Sequence, residues 1–177
     1  MISKLTYKVV ALSEVIQLDP NECVDWAIEM LELGYETPNL LMLAGCNKST
    51  SYFEIKPYLE NAAKELELRM KNGEAGVISY SYYFIKEISL GKNVRSNLSE
   101  LYNFCQQRDY EGIVYDFYLL YWAWDQIDYD DTNQNHYWEG TTKKNIERAV
   151  IKVANDWLKE NKEHYIQQKP KATGETY

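Results

Sequence analysis

The sequence predicts an all-α protein, and three observations carry that prediction. Apolar residues recur at helical spacing, as in Cys23, Trp26, Ala27, Met30 and Leu31, and again in Ile146, Ala149, Val150, Val153, Trp157 and Leu158. Helix-start chemistry repeats along the chain: Asp19-Pro20, Thr37-Pro38, and Ser51 followed three residues later by Glu54. One stretch, 75–90, also admits a period-two reading, but no partner strand is visible for it elsewhere. The expected architecture is a single α-helical domain over 1–168 with seven or eight helices, compactly layered or stacked as antiparallel pairs. The C-terminal residues 169–177, KPKATGETY, offer nothing to a core and read as a disordered tail.

The elements follow in order. Residues 4–17 form a first helix. Asp19 caps a second helix that reaches about Leu33, where Gly34 stops it. Thr37 and Pro38 open a short helix ended by Gly45; with Leu40, Leu41, Leu43 and Ala44 it is nearly all apolar, which predicts burial all round. The capping box Ser51-Tyr52-Phe53-Glu54 opens a helix to about Lys71, with Phe53, Ile55, Tyr58, Leu59, Ala62, Leu66 and Met70 facing inward. Pro57 lies close enough to its start to bend it. Residues 77–90 fit a helix through Val77, Tyr80, Phe84, Ile85 and Ile88, and a strand through the alternation of Tyr80, Tyr82 and Phe84 with Ser79, Ser81 and Tyr83; the helix is preferred. Asn97 to Glu100 caps a helix running to Gln107 through Leu101, Phe104 and Cys105. A strongly apolar helix spans 113–127, and the last long one starts at Thr141 or Thr142.

Charge and cysteine content bound the function. The 177 residues carry a formal net charge of −8, with a pI near 4.9. Phosphate backbones and anionic lipid surfaces recruit Lys and Arg, so nucleic acid and membrane are disfavoured as partners. A basic protein suits the charge. Cys23, Cys46 and Cys105 are odd in number and contain no C-x-x-C, which suggests free thiols in a reducing, cytoplasmic setting. The N-terminal apolar run is interrupted by Lys4 and Lys8 and is too short for a signal peptide or a membrane span.

The distinctive stretch is Asp116 to Gly140, DFYLLYWAWDQIDYDDTNQNHYWEG. Between Arg108 and Lys143 the sequence has no Lys or Arg, yet it has eight acids, Asp109, Glu111, Asp116, Asp125, Asp128, Asp130, Asp131 and Glu139. Elsewhere nineteen acids balance nineteen bases. Phe117, Leu120, Tyr121 and Trp124 share one helix face and read as core. The residues from Asp125 onward read as a docking surface for a basic protein partner: Tyr129, Tyr137 and Trp138 as anchors, and Asp125, Asp128, Asp130, Asp131 and Glu139 as electrostatic guides. The alternative is a divalent-cation loop. Counted from Asp128, the acids Asp128, Asp130 and Glu139 fall at positions 1, 3 and 12 of a calcium loop, but Asn133 stands where the turn wants Gly. Catalysis ranks last. Asp125 and Asp128 share a helix face as a carboxylate pair would, but His136 and His164 are the two His of the chain and no nucleophile or phosphate-loop motif accompanies them. No catalytic residue and no cofactor is assigned. A subunit of an oligomeric scaffold is a third reading.

The segments WAIEMLELGYETPNLLMLAG (26–45) and DFYLLYWAWDQIDYD (116–130), with the amphipathic helix after the capping box, resemble small acidic helical bacterial proteins. Among such proteins are immunity proteins of toxin systems. The resemblance implies a non-enzymatic binding role and supplies no catalytic residue.

Overall fold

The computed structural model describes residues 1–11, 18–47, 49–109, 112–129 and 135–165. Among these the regular elements are all helical: α1 (Thr6–Val9), α2 (Pro20–Glu32), α3 (Pro38–Ala44), α4 (Tyr52–Glu65), α5 (Gly73–Ser89), α6 (Val94–Gln107), α7 (Tyr115–Tyr129), α8 (Ile146–Glu160) and α9 (Lys162–Tyr165). A 3₁₀ turn, Gly112–Val114, leads into α7. The expectation of seven or eight helices is close, since α1 and α9 are four-residue pieces. No helix of the described residues is long and apolar enough to cross a membrane. Contacts group the chain into two compact units, one built on Met1–Tyr80 and one on Ser81–His164. The expected tail 169–177 and the second half of the expected first helix lie outside the described residues.

In the first unit, α3 packs on α2 and α4, and α2 also meets α4. The caps are as the sequence indicates. The Asp19 carboxylate accepts the Asn21 N–H at 2.8 Å, and the Thr37 hydroxyl accepts the Leu40 N–H at 3.4 Å. Glu54 accepts from the Ser51 N–H and from its hydroxyl, both at 3.0 Å. Gly34, at φ +87°, closes α2 in a left-handed turn in which the Tyr35 N–H reaches the Met30 carbonyl at 3.1 Å. Trp26 is fully buried, and its indole N–H donates to the Thr6 hydroxyl at 3.0 Å. The N-terminal segment is fastened by the Ser79 hydroxyl on the Tyr7 carbonyl and the Lys71 N–H on the Val10 carbonyl, each at 2.8 Å.

Three expectations are corrected here. Helix α3 is not buried all round: Leu40 and Leu43 are inside, while Leu41 and Met42 point to solvent. With two turns and two packed neighbours, one stripe is covered and the rest is not. Phe53 is 82% exposed, because Ile55, Leu59, Ala62 and Ala63 define the inner stripe and Phe53 stands about 200° from Ile55 around the axis. Helix α4 stops at Glu65 and not near Lys71. Glu67 takes a left-handed φ of +54°, and the Leu68 N–H turns back to the Ala63 carbonyl at 2.9 Å. Pro57 sits within α4 and is exposed.

Helix α5 settles the 77–90 ambiguity as helix, and Val77, Tyr80, Phe84, Ile85 and Ile88 are all buried. It ends in a Schellman turn at Gly91 (φ +69°), with the Lys92 N–H on the Glu87 carbonyl. In the second unit α6, α7 and α8 pack pairwise. Helix α6 starts at Val94, four residues earlier than the Asn97 cap predicts, and the Asn97 amide instead donates to the Lys92 carbonyl at 3.0 Å. Helix α8 starts at Ile146, later than Thr141 or Thr142. Asn145 holds the intervening turn by accepting the Thr142 N–H at 2.6 Å and donating to the Gly140 carbonyl.

Candidate functional site

The acidic–aromatic stretch divides along α7. Phe117, Leu120, Ala123 and Ile127 are buried and form the inner stripe. Tyr121 and Trp124, expected in the core with Phe117 and Leu120, are only half-buried. They belong to a second stripe that α6 partly covers. There Tyr102 of α6 stacks on Tyr121 at 4.0 Å between ring centroids and on Tyr118 at 5.4 Å. Tyr118 stacks in turn on Tyr115 at 5.5 Å. At the other end Trp122 meets Tyr102 edge-on and stacks on Tyr137 at 6.0 Å. The result is a continuous run of six rings, with the end members Tyr115 and Tyr137 exposed and the middle ones half-buried. Ring stacking restricts the rotamers of these side chains.

Beside this run lies an ionic cluster that the sequence order hides. Arg95, from the first turn of α6, sits over the Tyr121 ring at 5.0 Å and the Trp124 ring at 5.1 Å. Its Nη2 lies 3.7 Å from Asp125 and 3.4 Å from Asp128. The acids that lack a base in their own stretch thus receive one from α6. The attraction is modest: both carboxylates are partly exposed, so each pair contributes up to about 1 kcal/mol, with a similar amount from stacking. The Arg95 Nη1 is buried and has no acceptor among the described residues.

The turn after α7 is also tied down. The Asn135 amide donates to the Ala123 carbonyl at 2.7 Å, and its oxygen accepts the N–H groups of Tyr137 and Trp138, both at 3.0 Å. The Gln126 side chain accepts the His136 N–H at 3.1 Å. These bonds place Tyr137 against Trp122. Trp138 and Glu139 turn away and line an open groove of ≈ 360 Å³ with Asn145, Arg148 and Lys152.

The expected site residues therefore separate. Asp125 and Asp128 gather at Arg95, Tyr137 joins the ring stack, and Trp138 with Glu139 forms the edge of the neighbouring groove. Tyr129 ends α7 and is 87% exposed. Asp130 and Asp131 lie outside the described residues. For the cation reading, Asp128 is still inside α7 and faces a guanidinium, and Glu139 lines the groove. Among the described residues no group of three or more His, Cys, Asp or Glu is placed to hold a metal ion. The sequence reading missed Arg95, Tyr102, Tyr118, Gln126 and Asn135. The half-polar phase of α7, with Tyr115, Tyr118 and Trp122 off the apolar stripe, was the available signal for the ring stack. Nothing local marks Arg95.

Comparison of the chain with protein-family models, with curated proteins and with solved structures gives no match.

Proposed function

We propose that this chain is a non-enzymatic protein-binding domain that docks a basic protein partner on the outer face of α6 and α7. The observation that carries the reading is the run of six contacting rings, stacked or edge-on, left half-open to solvent beside partly exposed carboxylates. A core would bury such rings fully, whereas a recognition surface holds them rigid and accessible. Tyr115, Tyr129 and Tyr137 supply exposed aromatic anchors, and Asp116, Asp125 and Asp128 form the acidic rim. The mechanism is steric and electrostatic occlusion, the way an immunity protein neutralises a basic toxin domain.

Affinity capture with the wild-type protein, and with a Tyr115→Ala/Tyr137→Ala variant as control bait, identifies the partner, after which association rates are measured across salt. A basic partner retained by the wild type and lost by the variant is expected. Reversing Asp128, Asp130 and Asp131 to Lys slows association about tenfold or more at low salt. An association rate that is independent of salt and of these reversals rules the reading out.

A second reading has its own observation. Leu41, Met42 and Phe53 are exposed apolar residues on α3 and the first turn of α4 of the first unit, which suits a subunit that buries them against another copy. Light scattering on the purified chain, compared with a Met42→Glu/Phe53→Glu variant, decides it: a dimer that the variant converts to monomer supports it, and a monomer in both removes it.

A further inference from the structure

We propose that Tyr121, Trp124, Asp125 and Asp128 form a cage for a guanidinium group, that Arg95 occupies it in the free protein, and that an arginine side chain of the basic partner takes it over. The inference rests on the docking reading and deepens it by naming the side chain that the surface recognises.

The cage has the chemistry of a cation receptor: two aromatic faces about 5 Å from the guanidinium carbon and two carboxylates at its side. A guanidinium is already held there, so the ligand class is read from an occupant and not from acidity alone. The occupant fits imperfectly. One nitrogen, Nη2, serves both carboxylates, at 3.4 and 3.7 Å, where a well-made arginine–carboxylate pair is bidentate at under about 3 Å. The other nitrogen, Nη1, is buried without an acceptor among the described residues. A tether from the first turn of α6 sets where Arg95 can reach. A guanidinium arriving from solvent is not so tethered and can present both nitrogens to the carboxylates. The cage is reachable, since the side chains of Arg95, Asp125 and Asp128 are 35%, 30% and 50% exposed. Exchange keeps the net charge of the cage constant, so no carboxylate is left without a cation at the end. Arg95 lowers the apparent affinity by the fraction of time it fills the cage, and it selects for ligands that pair better than it does.

The test uses the full chain and an oligo-arginine peptide, followed by NMR of the Trp124 indole N–H and the Arg95 side chain. In the free protein the Arg95 resonances are displaced by ring currents from Tyr121 and Trp124; on adding peptide they move to solvent-like values as the cage changes hands. Arg95→Gln binds the peptide several-fold to about tenfold tighter than wild type, because the internal competitor is gone. Arg148→Gln changes the net charge equally and leaves the affinity near that of the wild type. Asp125→Asn/Asp128→Asn loses the Trp124 response. An oligo-lysine peptide of equal length displaces Arg95 less effectively. If the peptide shifts Tyr115 and Tyr137 while Arg95 keeps its ring-current shift, docking stands and the exchange is overturned. If neither peptide binds wild type or any variant, both fail. Should Arg95→Gln not fold, the wild-type Arg95 resonances alone decide whether the exchange takes place.

Discussion

Glu65 shows how one carboxylate joins two helices. It ends α4, and its two oxygens accept from the Asn39 N–H and the Asn39 amide at the first turn of α3, with Thr37 donating as well. Loss of water works to raise its pKa, but these donors outweigh that effect and hold the carboxyl below its ordinary value. The sign follows directly. A depressed folded pKa contributes stability that is complete above the unfolded value, about 4.3, and fades as pH falls through the folded pKa. Glu65→Gln therefore melts at a lower temperature than wild type at neutral pH, and the gap narrows on acidification below about pH 4. Melting curves of both proteins across pH check this, and a gap independent of pH removes the charge from the explanation. Cys23 behaves in the opposite way. Burial, with Glu22 and Asp19 adding to it, pushes its thiol up to about 12. Cys23 thus stays protonated and inert at neutral pH, and its contribution to stability is lost only in alkali, as the unfolded chain forms thiolate above its ordinary pKa.

At the level of elements, the caps of α2, α3 and α4 were readable because a cap is local: Asp19, Thr37 and Ser51 bond within three residues of themselves. What local pattern does not give is phase. Phe53, Leu41 and Met42 are apolar and helical, and each stands off the stripe that packing selects. Nor does it give partners from afar. Arg95 lies 33 residues from Asp128, and the two meet only because α6 packs on α7. The candidate site was therefore half legible: the acids and rings of α7 were evident, but Arg95 and Tyr102, which organise them, were not. Asn135 is a further case, since within the run TNQN it reads as a loop residue, whereas in the fold it ties the turn 135–138 to α7 through one hydrogen bond and braces the turn itself through two. Asn135→Ala should cost about 1–2 kcal/mol and release Tyr137 from Trp122. Near-ultraviolet circular dichroism and denaturant melts report both effects. Asn135→Asp, which keeps the accepting oxygen and loses the donor to Ala123, should fall between. Unchanged aromatic dichroism in Asn135→Ala would mean that the ring stack holds the turn, and not the reverse.

Across the whole molecule, charge and core are distributed differently. The acids of the 109–139 stretch account for the entire net charge in sequence terms, yet Ser81–His164 holds ten bases against fourteen acids and the rest of the chain nine against thirteen. Each part carries −4, and within Ser81–His164 the acidic stretch carries −8 while the remaining segments sum to +4. Under the proposed docking reading, such a local concentration of acids would steer a basic partner without an extreme overall charge. The cores can be followed separately because Trp26 is the single tryptophan of the chain before α7, whereas Trp122, Trp124, Trp138 and Trp157 belong to the second unit. Phe117 is fully buried on α7, and Phe117→Ala should destabilise its unit by about 3–5 kcal/mol through lost transfer and an unfilled cavity. In a background with Trp26→Phe, fluorescence reports the second unit. With the four later tryptophans replaced by Phe, it reports the first. The division of contacts predicts that Phe117→Ala lowers the urea midpoint strongly in the first background and much less in the second. Equal shifts in both would show that the two units unfold as one cooperative block, and the ring-bearing face of α6 and α7 would then draw its rigidity from the entire chain and not from its own three-helix core.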